Sequence, residues 1–283
     1  LAQDLWWAGM LVRPEAERYA LATRMWYPHE LWFHHRSRVS DRQSHEDGYG
    51  ATYWLRDEFD PPPADPPVRS GPTVDLPRPD LDRLRATDPP LAAVVDDRRS
   101  LRTYDETTPL SIDQLGELLF RCAGTRAPDG ASGARRPYPV GGGLYDLDLY
   151  PVVHRVTGLA PGMYRYDPAA HQLQTVCAPT RATRALLAGA KGAAALPAPP
   201  QLLLVISARF ARTMYKYQQL SYALMLKNVG VLYHQLYLAA TAMGLAGCAL
   251  GSGDVDAFAE ATGCDPLTES SVGEFILGTD GAA

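Results

Sequence analysis

Apolar residues recur along the chain with two periods, and the switches between them mark its elements. Ser111-Ile112-Asp113-Gln114 reads as a capping box, with the Ser111 hydroxyl accepting from the backbone N–H of Gln114. Leu115, Leu118, Leu119 and Cys122 then fall on one face, which predicts a helix to about Ala123. Alternation and β-branched content mark Leu147 to Val153 as a strand. Gly158, Pro161 and Gly162 turn the chain into a second, Met163-Tyr164-Arg165-Tyr166. Gln201 to Ser207 is a third, apolar throughout. Leu220 to Met243 is apolar nearly all round, holds no proline and stops at Gly244, which predicts a long helix buried in a core or in a dimer interface. Short strands at Cys248 to Leu250 and Glu274 to Leu277 complete the set. Beyond Pro90, then, helices and strands alternate as in an α+β or α/β domain.

The chain ahead of Pro90 is built differently. All five tryptophans, Trp6, Trp7, Trp26, Trp32 and Trp54, fall in its first 54 residues. Trp6 to Trp32 reads as helical or extended with aromatic anchors, and His34 to Gly50 as a polar loop in which His34, His35 and His45 are solvated rather than metal ligands. Residues 60 to 90 hold ten of the 24 prolines, so this stretch is expected to form neither regular helix nor central strand. It reads as an extended connector whose Val68, Val74, Leu76, Leu81 and Leu84 pack on the domain that follows. Three parts result: an aromatic-rich segment, 1–59, that contacts a partner or precursor; a connector, 60–91; and a domain, 92–279.

At 46% apolar the chain buries a substantial core, and a net charge of −5 gives no broad pull toward nucleic acid. Cys122, Cys177, Cys248 and Cys264 lie far apart, with no C-x-x-C pair and no histidine spacing for zinc, and read as reduced, mostly buried thiols. The apolar stretches stop short of the roughly 18 to 20 residues of a spanning helix, and no signal-peptide pattern opens the chain. The default expectation is a soluble, cytoplasmic protein with no metal and no membrane contact, although the first residue is Leu1 and not Met.

Arg98, Arg99 and Arg102 surround Ser100 just before an expected helix. Guanidinium forks and a hydroxyl match a phosphate dianion, and a solvated basic patch is the other reading. Gly141-Gly142-Gly143 and Gly251-Ser252-Gly253 would let backbone approach a flat ligand closely. No G-x-G-x-x-G follows a strand and no Walker sequence occurs, so a phosphate-bearing cofactor other than a dinucleotide fits better. The chain has only three lysines, and Lys216 stands beside Tyr217. Burial can bring a lysine toward neutrality so that it acts as a base, and a tyrosine beside it can relay a proton. A surface lysine next to a packed tyrosine stays open as the alternative. His234, and Tyr215 and Tyr222, read as packing residues. No G-x-S-x-G elbow and no activated cysteine support hydrolase chemistry.

The order of these motifs resembles the nitroreductase superfamily. Arg98-Arg99-Ser100-Leu101-Arg102-Thr103-Tyr104, then Leu110-Ser111 and a helix, is similar to the opening of those domains. Pro137-Tyr138-Pro139-Val140-Gly141-Gly142-Gly143-Leu144-Tyr145, Gly162-Met163-Tyr164-Arg165-Tyr166-Asp167-Pro168 and Lys216-Tyr217 with Tyr222, Gly230 and Gln235 resemble the SagB-type dehydrogenases, the azoline oxidases of thiazole/oxazole-modified peptide biosynthesis. The resemblance covers about residues 92 to 279. It implies an α+β, nitroreductase-like FMN-binding fold, with FMN phosphate and ribityl contacts from the arginine run, Arg98, Arg99, Ser100 and Arg102. It further implies flavin-ring contacts from Gly141, Gly142, Leu250 and Gly251, and a catalytic Lys216 aided by Tyr217. It implies a homodimer with flavins at the subunit interface, an azoline-containing peptide as substrate, and cyclodehydratase and leader-binding partner proteins. The sequence departs from the family at Val140, where a serine is usual, and at Ala223, where an arginine commonly follows the tyrosine. Two other readings stay open: an NAD(P)H-dependent nitro or quinone reductase, and a flavin-free scaffold subunit of a biosynthetic complex.

Overall fold

The computed structural model describes residues 3, 5, 21, 25–38, 53–66, 69–126 and 135–281. Trp6, Trp7, His45 and Val68 lie outside the described residues. The chain divides into two units, one comprising 1–62 with 213–224 and the other 63–212 with 225–283.

The larger unit is organised by a seven-stranded antiparallel sheet. Its strands are β1 (Thr73–Asp75), β2 (Leu147–Val153), β3 (Gly162–Asp167), β4 (Gln172–Cys177), β5 (Leu202–Arg209), β6 (Leu245–Leu250) and β7 (Glu269–Thr279), in the order β1-β4-β3-β2-β5-β7-β6. Central β2 and β5 are buried along their whole length, which explains their near-continuous apolar sequences. The strands read at 248–250 and 274–277 are each longer, and β4 was not expected from the sequence.

Successive residues of a strand face opposite sides of the sheet, so β7 separates the two helical layers. Ile276 packs with Leu186 and Phe258, on the helices Arg181–Ala193 and Val255–Thr262. Its neighbour Phe275 meets Tyr237 edge-to-face, at 5.1 Å between centroids, on the long helix Ser221–Ala242. That helix buries Met225, Val229, Leu232, Leu236, Ala239 and Ala240, a stripe at i, i+4, i+7 spacing rather than its whole circumference. The helix Ile112–Ala123 lies against it, with Gln235 Nε2 donating to the Arg121 carbonyl at 3.4 Å. Its expected capping box is present: Gln114 N donates to Ser111 Oγ and Ser111 N to Gln114 Oε1.

The proline-rich stretch departs from the expectation of an irregular connector. Between Pro79 and Pro89 lie nine residues without proline, enough for the helix Leu81–Thr87, capped by Asp80, whose side chain accepts from Asp82 N and Arg83 N. Thr73–Asp75 pairs with β4 as an edge strand, the position that tolerates flanking prolines. Leu76 and Leu84 are buried, as the packing expectation requires.

In the smaller unit a helix covers Pro28–Arg36, so His34 and His35 are exposed in its last turn rather than in a loop. Among the described residues the helices with defined bounds are, in chain order, α1 (Pro28–Arg36), α2 (Leu81–Thr87), α3 (Leu91–Asp97), α4 (Ile112–Ala123), α5 (Arg181–Ala193), α6 (Phe210–Met214), α7 (Ser221–Ala242) and α8 (Val255–Thr262). Among the described residues no helix is long and apolar enough to cross a membrane.

Candidate functional site

Arg98 does not precede a helix directly; it closes α3, donating its backbone N–H to the Val94 carbonyl, and the chain then runs extended along β6. The reason is local. Asp96 and Asp97 end the apolar stretch, and Leu101 N donates to the Gly247 carbonyl at 3.1 Å. Two side-chain contacts fix the strip further. Ser100 Oγ shares a hydrogen bond of 2.8 Å with Tyr237 Oη, and Arg102 Nε donates to Cys248 Sγ at 3.3 Å. The Arg98 guanidinium lies 5.2 Å from the centre of the Tyr237 ring, a cation–π distance. Arg99, Ser100 and Arg102 are exposed and Arg98 is half-buried against Tyr237, so two guanidinium groups and a hydroxyl face solvent from an extended segment, with a third guanidinium beside them. That donor set fits a phosphate dianion.

β6 leads to two more predicted residues. Leu250 ends β6 two positions beyond Cys248, and Gly251 follows it, exposed, with open space where a side chain would be. The structure therefore lays Arg98–Arg102 along β6, the strand that ends at Leu250. Gly141 and Gly142 are held elsewhere in the unit. They lie in a single 3-10 turn, Gly141–Gly143, where Gly142 has φ 64° and Gly143 φ 68°, a left-handed conformation that favours glycine. Asn228 Oδ1 accepts from Gly141 N at 3.2 Å, while its Nδ2 donates to Asp146 Oδ1 at 3.1 Å. Asn228 stands nine residues before Tyr237 on α7, about 13 Å along the helix axis.

Lys216 and Tyr217 belong to the smaller unit, on the turn between α6 and α7. Tyr217 N donates to the Thr213 carbonyl, and Ser221 Oγ donates to the Tyr217 carbonyl. Lys216 Nζ lies 5.3 Å from the Tyr217 ring centre and 5.8 Å from that of Tyr53, whose backbone N–H donates to the Lys216 carbonyl at 3.1 Å. Trp54 Nε1 donates to the Met214 carbonyl at 2.8 Å, and Tyr215 Oη to the Phe59 carbonyl at 3.1 Å. Beside the pair opens a hollow of about 500 Å³ walled by Phe33, Trp54, Met214, Tyr217 and Tyr222. Phe33 and Tyr222 meet edge-to-face at 5.8 Å. Tyr222, read from sequence as a packing residue, is exposed and forms part of this wall.

Sequence reasoning did not single out Tyr237, Asn228 or Glu274. The signal for Asn228 was an amide in an apolar helix, and it is 4% exposed with its hydrogen bonds spent on the glycine turn and Asp146. Glu274 pairs with Leu250 across β6 and β7, and burial pushes its carboxyl up to about 7.

Comparison with known proteins assigns the scaffold. The nitroreductase family profile matches residues 95–279. The chain belongs to the nitroreductase family. Among this family's members a protein of Methanocaldococcus jannaschii, named "Putative nitroreductase", is 28% identical over 182 residues, spanning 64% of this chain and 86% of the relative. A crystal structure from Ralstonia eutropha that carries the same name is 24% identical, with a TM-score of 0.58 over 77% of this chain and 94% of that one. A chain of the E. coli microcin synthetase McbBCD complex with truncated pro-MccB17 bound is 20% identical, with a TM-score of 0.55 over 88% of this chain and 90% of that one. At these identities the two structures speak to the fold alone. The nitroreductase fold, an α+β architecture, agrees with the fold class expected from sequence.

Proposed function

We propose that this chain is an FMN-dependent dehydrogenase of the SagB type, oxidising azoline rings of a modified peptide to azoles. The observation that carries the reading is the Lys216–Tyr217 pair beside an aromatic hollow, a base and a flat-walled recess where a hydride exchange with NAD(P)H needs neither. Likeness in fold to a chain of a peptide-bound synthetase complex supports it.

Arg98, Arg99, Arg102 and Ser100 would hold the FMN phosphate and ribityl chain, and backbone at Gly141–Gly142 and Leu250–Gly251 the ring. FMN, when bound, supplies the two-electron acceptor for the hydride leaving the azoline. An azoline carries an acidified C–H beside its C=N bond, and Lys216 takes that proton, with Tyr217 relaying it onward. Trp54, Phe33 and Tyr222 would stack against the flat heterocycle and keep water from it. The active form is a homodimer that acts after a cyclodehydratase and takes its peptide from a leader-binding partner, with residues 1–59 contacting precursor or partner.

The test is incubation of the FMN-loaded protein with an azoline-containing peptide under air. The expected product is lighter by two hydrogens, about 2 Da, per ring by mass spectrometry. Rapid bleaching of bound FMN by NAD(P)H, with nitroarene reduction and no azole formed, would replace this reading by the nitroreductase one. A colourless protein that takes up no FMN would point to the scaffold role.

A further inference from the structure

Beside Ser252 and Gly253 lies a cavity of about 380 Å³ between the sheet and helices α5 and α8. Leu186, Leu203 and Leu250 form the aliphatic part of its wall. Its one deeply buried polar lining group is the Glu274 carboxyl, which is 6% exposed and whose Oε1 has no hydrogen-bond partner. A hydroxyl from Ser271 reaches the carboxyl, and no basic side chain lines the cavity. Asp254 and Asp256 add negative charge at its edge.

An acid in such a place costs stability unless something answers it. Gly253 reinforces the point, because a Cβ there would fall within bonding distance of the Glu274 carboxyl; the glycine keeps the space over the acid open. A metal ion does not suit the site. Asp254 Oδ1 is spent on capping α8, where it accepts from Ala257 N at 2.9 Å, and among the described residues no metal-holding group of three His, Cys, Asp or Glu forms. What the cavity offers is one buried carboxyl beside aliphatic side chains, with the exposed Asp254 and Asp256 adding to its negative charge, in a recess of small-ligand size.

We propose that this cavity binds a small organic ammonium ion, its nitrogen paired with the Glu274 carboxylate and its hydrocarbon part against Leu186, Leu203 and Leu250. The buried carboxyl, pushed up toward neutral pH, is ionised by pairing with the cation. Because Leu250 borders both this cavity and the candidate flavin contact, an occupant sits directly behind the end of β6. The site stands whether or not the chain oxidises azolines.

Calorimetric titration of the full-length protein with cyclohexylammonium tests it, with cyclohexanol as the neutral probe of like shape. Saturable binding is expected for the ammonium, with affinity lower by about tenfold or more for the alcohol and for Glu274→Gln. Gly189 lines the cavity on α5 and has open space at its Cβ position, so Gly189→Leu should fold and fill the recess, weakening binding with Glu274 intact. This second variant decides the matter should Glu274→Gln misfold. Absence of saturable binding to the wild type, or equal affinity in wild type and Gly189→Leu, would overturn the proposal.

Discussion

Arg98–Arg102 and Lys216–Tyr217 are two short runs held in contrasting ways. The arginine strip lies along β6 and is tied at Gly247, Cys248 and Tyr237, all in the sheet unit, leaving its charged ends in solvent. The Lys216 turn is held by residues far away in sequence, Trp54 bonding Met214 across 160 positions, and its environment is aromatic. Charge acts over distance and demands little shape, so an anion anchor works from an exposed rigid edge. Proton transfer demands hydrogen-bond reach, so a base has to be aimed by packed neighbours. On the proposed function, the stretch that carries Trp54 would aim Lys216, and the sheet would anchor the phosphate.

The sharpest way to break this division is Lys216→Ala. Azole formation should fall by about 10²- to 10⁴-fold, the usual worth of a positioned base, while the protein stays yellow. Full activity by mass spectrometry would remove Lys216 from the mechanism. Next in size is Arg102→Ala, which should weaken FMN binding by about 10- to 100-fold, as expected for one charge-assisted contact, with a shallower salt dependence. Unchanged affinity in a fluorescence titration would return the strip to a solvated patch. Trp54→Ala discriminates between the two regions. It should raise the KM for peptide severalfold and leave FMN affinity alone; a parallel loss of both would show that the two regions do not work separately.

These regions also differed in how readily they could be read. A run of five residues is visible in sequence whatever the fold, and so were the Ser111 capping box, the β2 and β5 runs and the α7 helix. The hollow could not be read, because Phe33, Trp54 and Tyr222 become neighbours only through the fold. Proline density hid α2, since composition averages over the nine proline-free residues that matter. Helix α5 was missed for another reason: its alanines, glycines and arginines give a weak apolar signal, and Leu186 and Leu187 alone mark its buried face. Glu274 was read merely as the start of a strand, although a carboxylate heading the apolar run Phe275-Ile276-Leu277 is the kind of local conflict that marks a site.

The smallest expected effect concerns what the sheet unit needs in order to stay a rigid support. His171 is 1% exposed; its Nδ1 lies 2.8 Å from Tyr166 Oη and its Nε2 3.0 Å from the Pro77 carbonyl. The neutral ring serves both contacts, donating from Nε2 to the carbonyl and accepting at Nδ1 from the tyrosine hydroxyl. It thereby ties the β3–β4 turn to the segment leading into α2. Burial lowers the His171 pKa, and nearby Arg78 and Arg126 act in the same sense. The unfolded chain, whose histidine titrates near an ordinary value of about 6.5, then takes up the proton first. Stability from this group is present above that pH and is lost as pH falls from there toward the folded-state pKa. Glu274 works oppositely: its raised folded pKa favours the folded state on acidification through about 7. The wild-type slope sums both, so the informative quantity is a difference. Urea midpoints measured from pH 7.5 to 5 should fall less steeply in His171→Gln than in wild type. Parallel slopes would mean that His171 keeps an ordinary pKa and that the tie to Pro77 does not depend on its charge state.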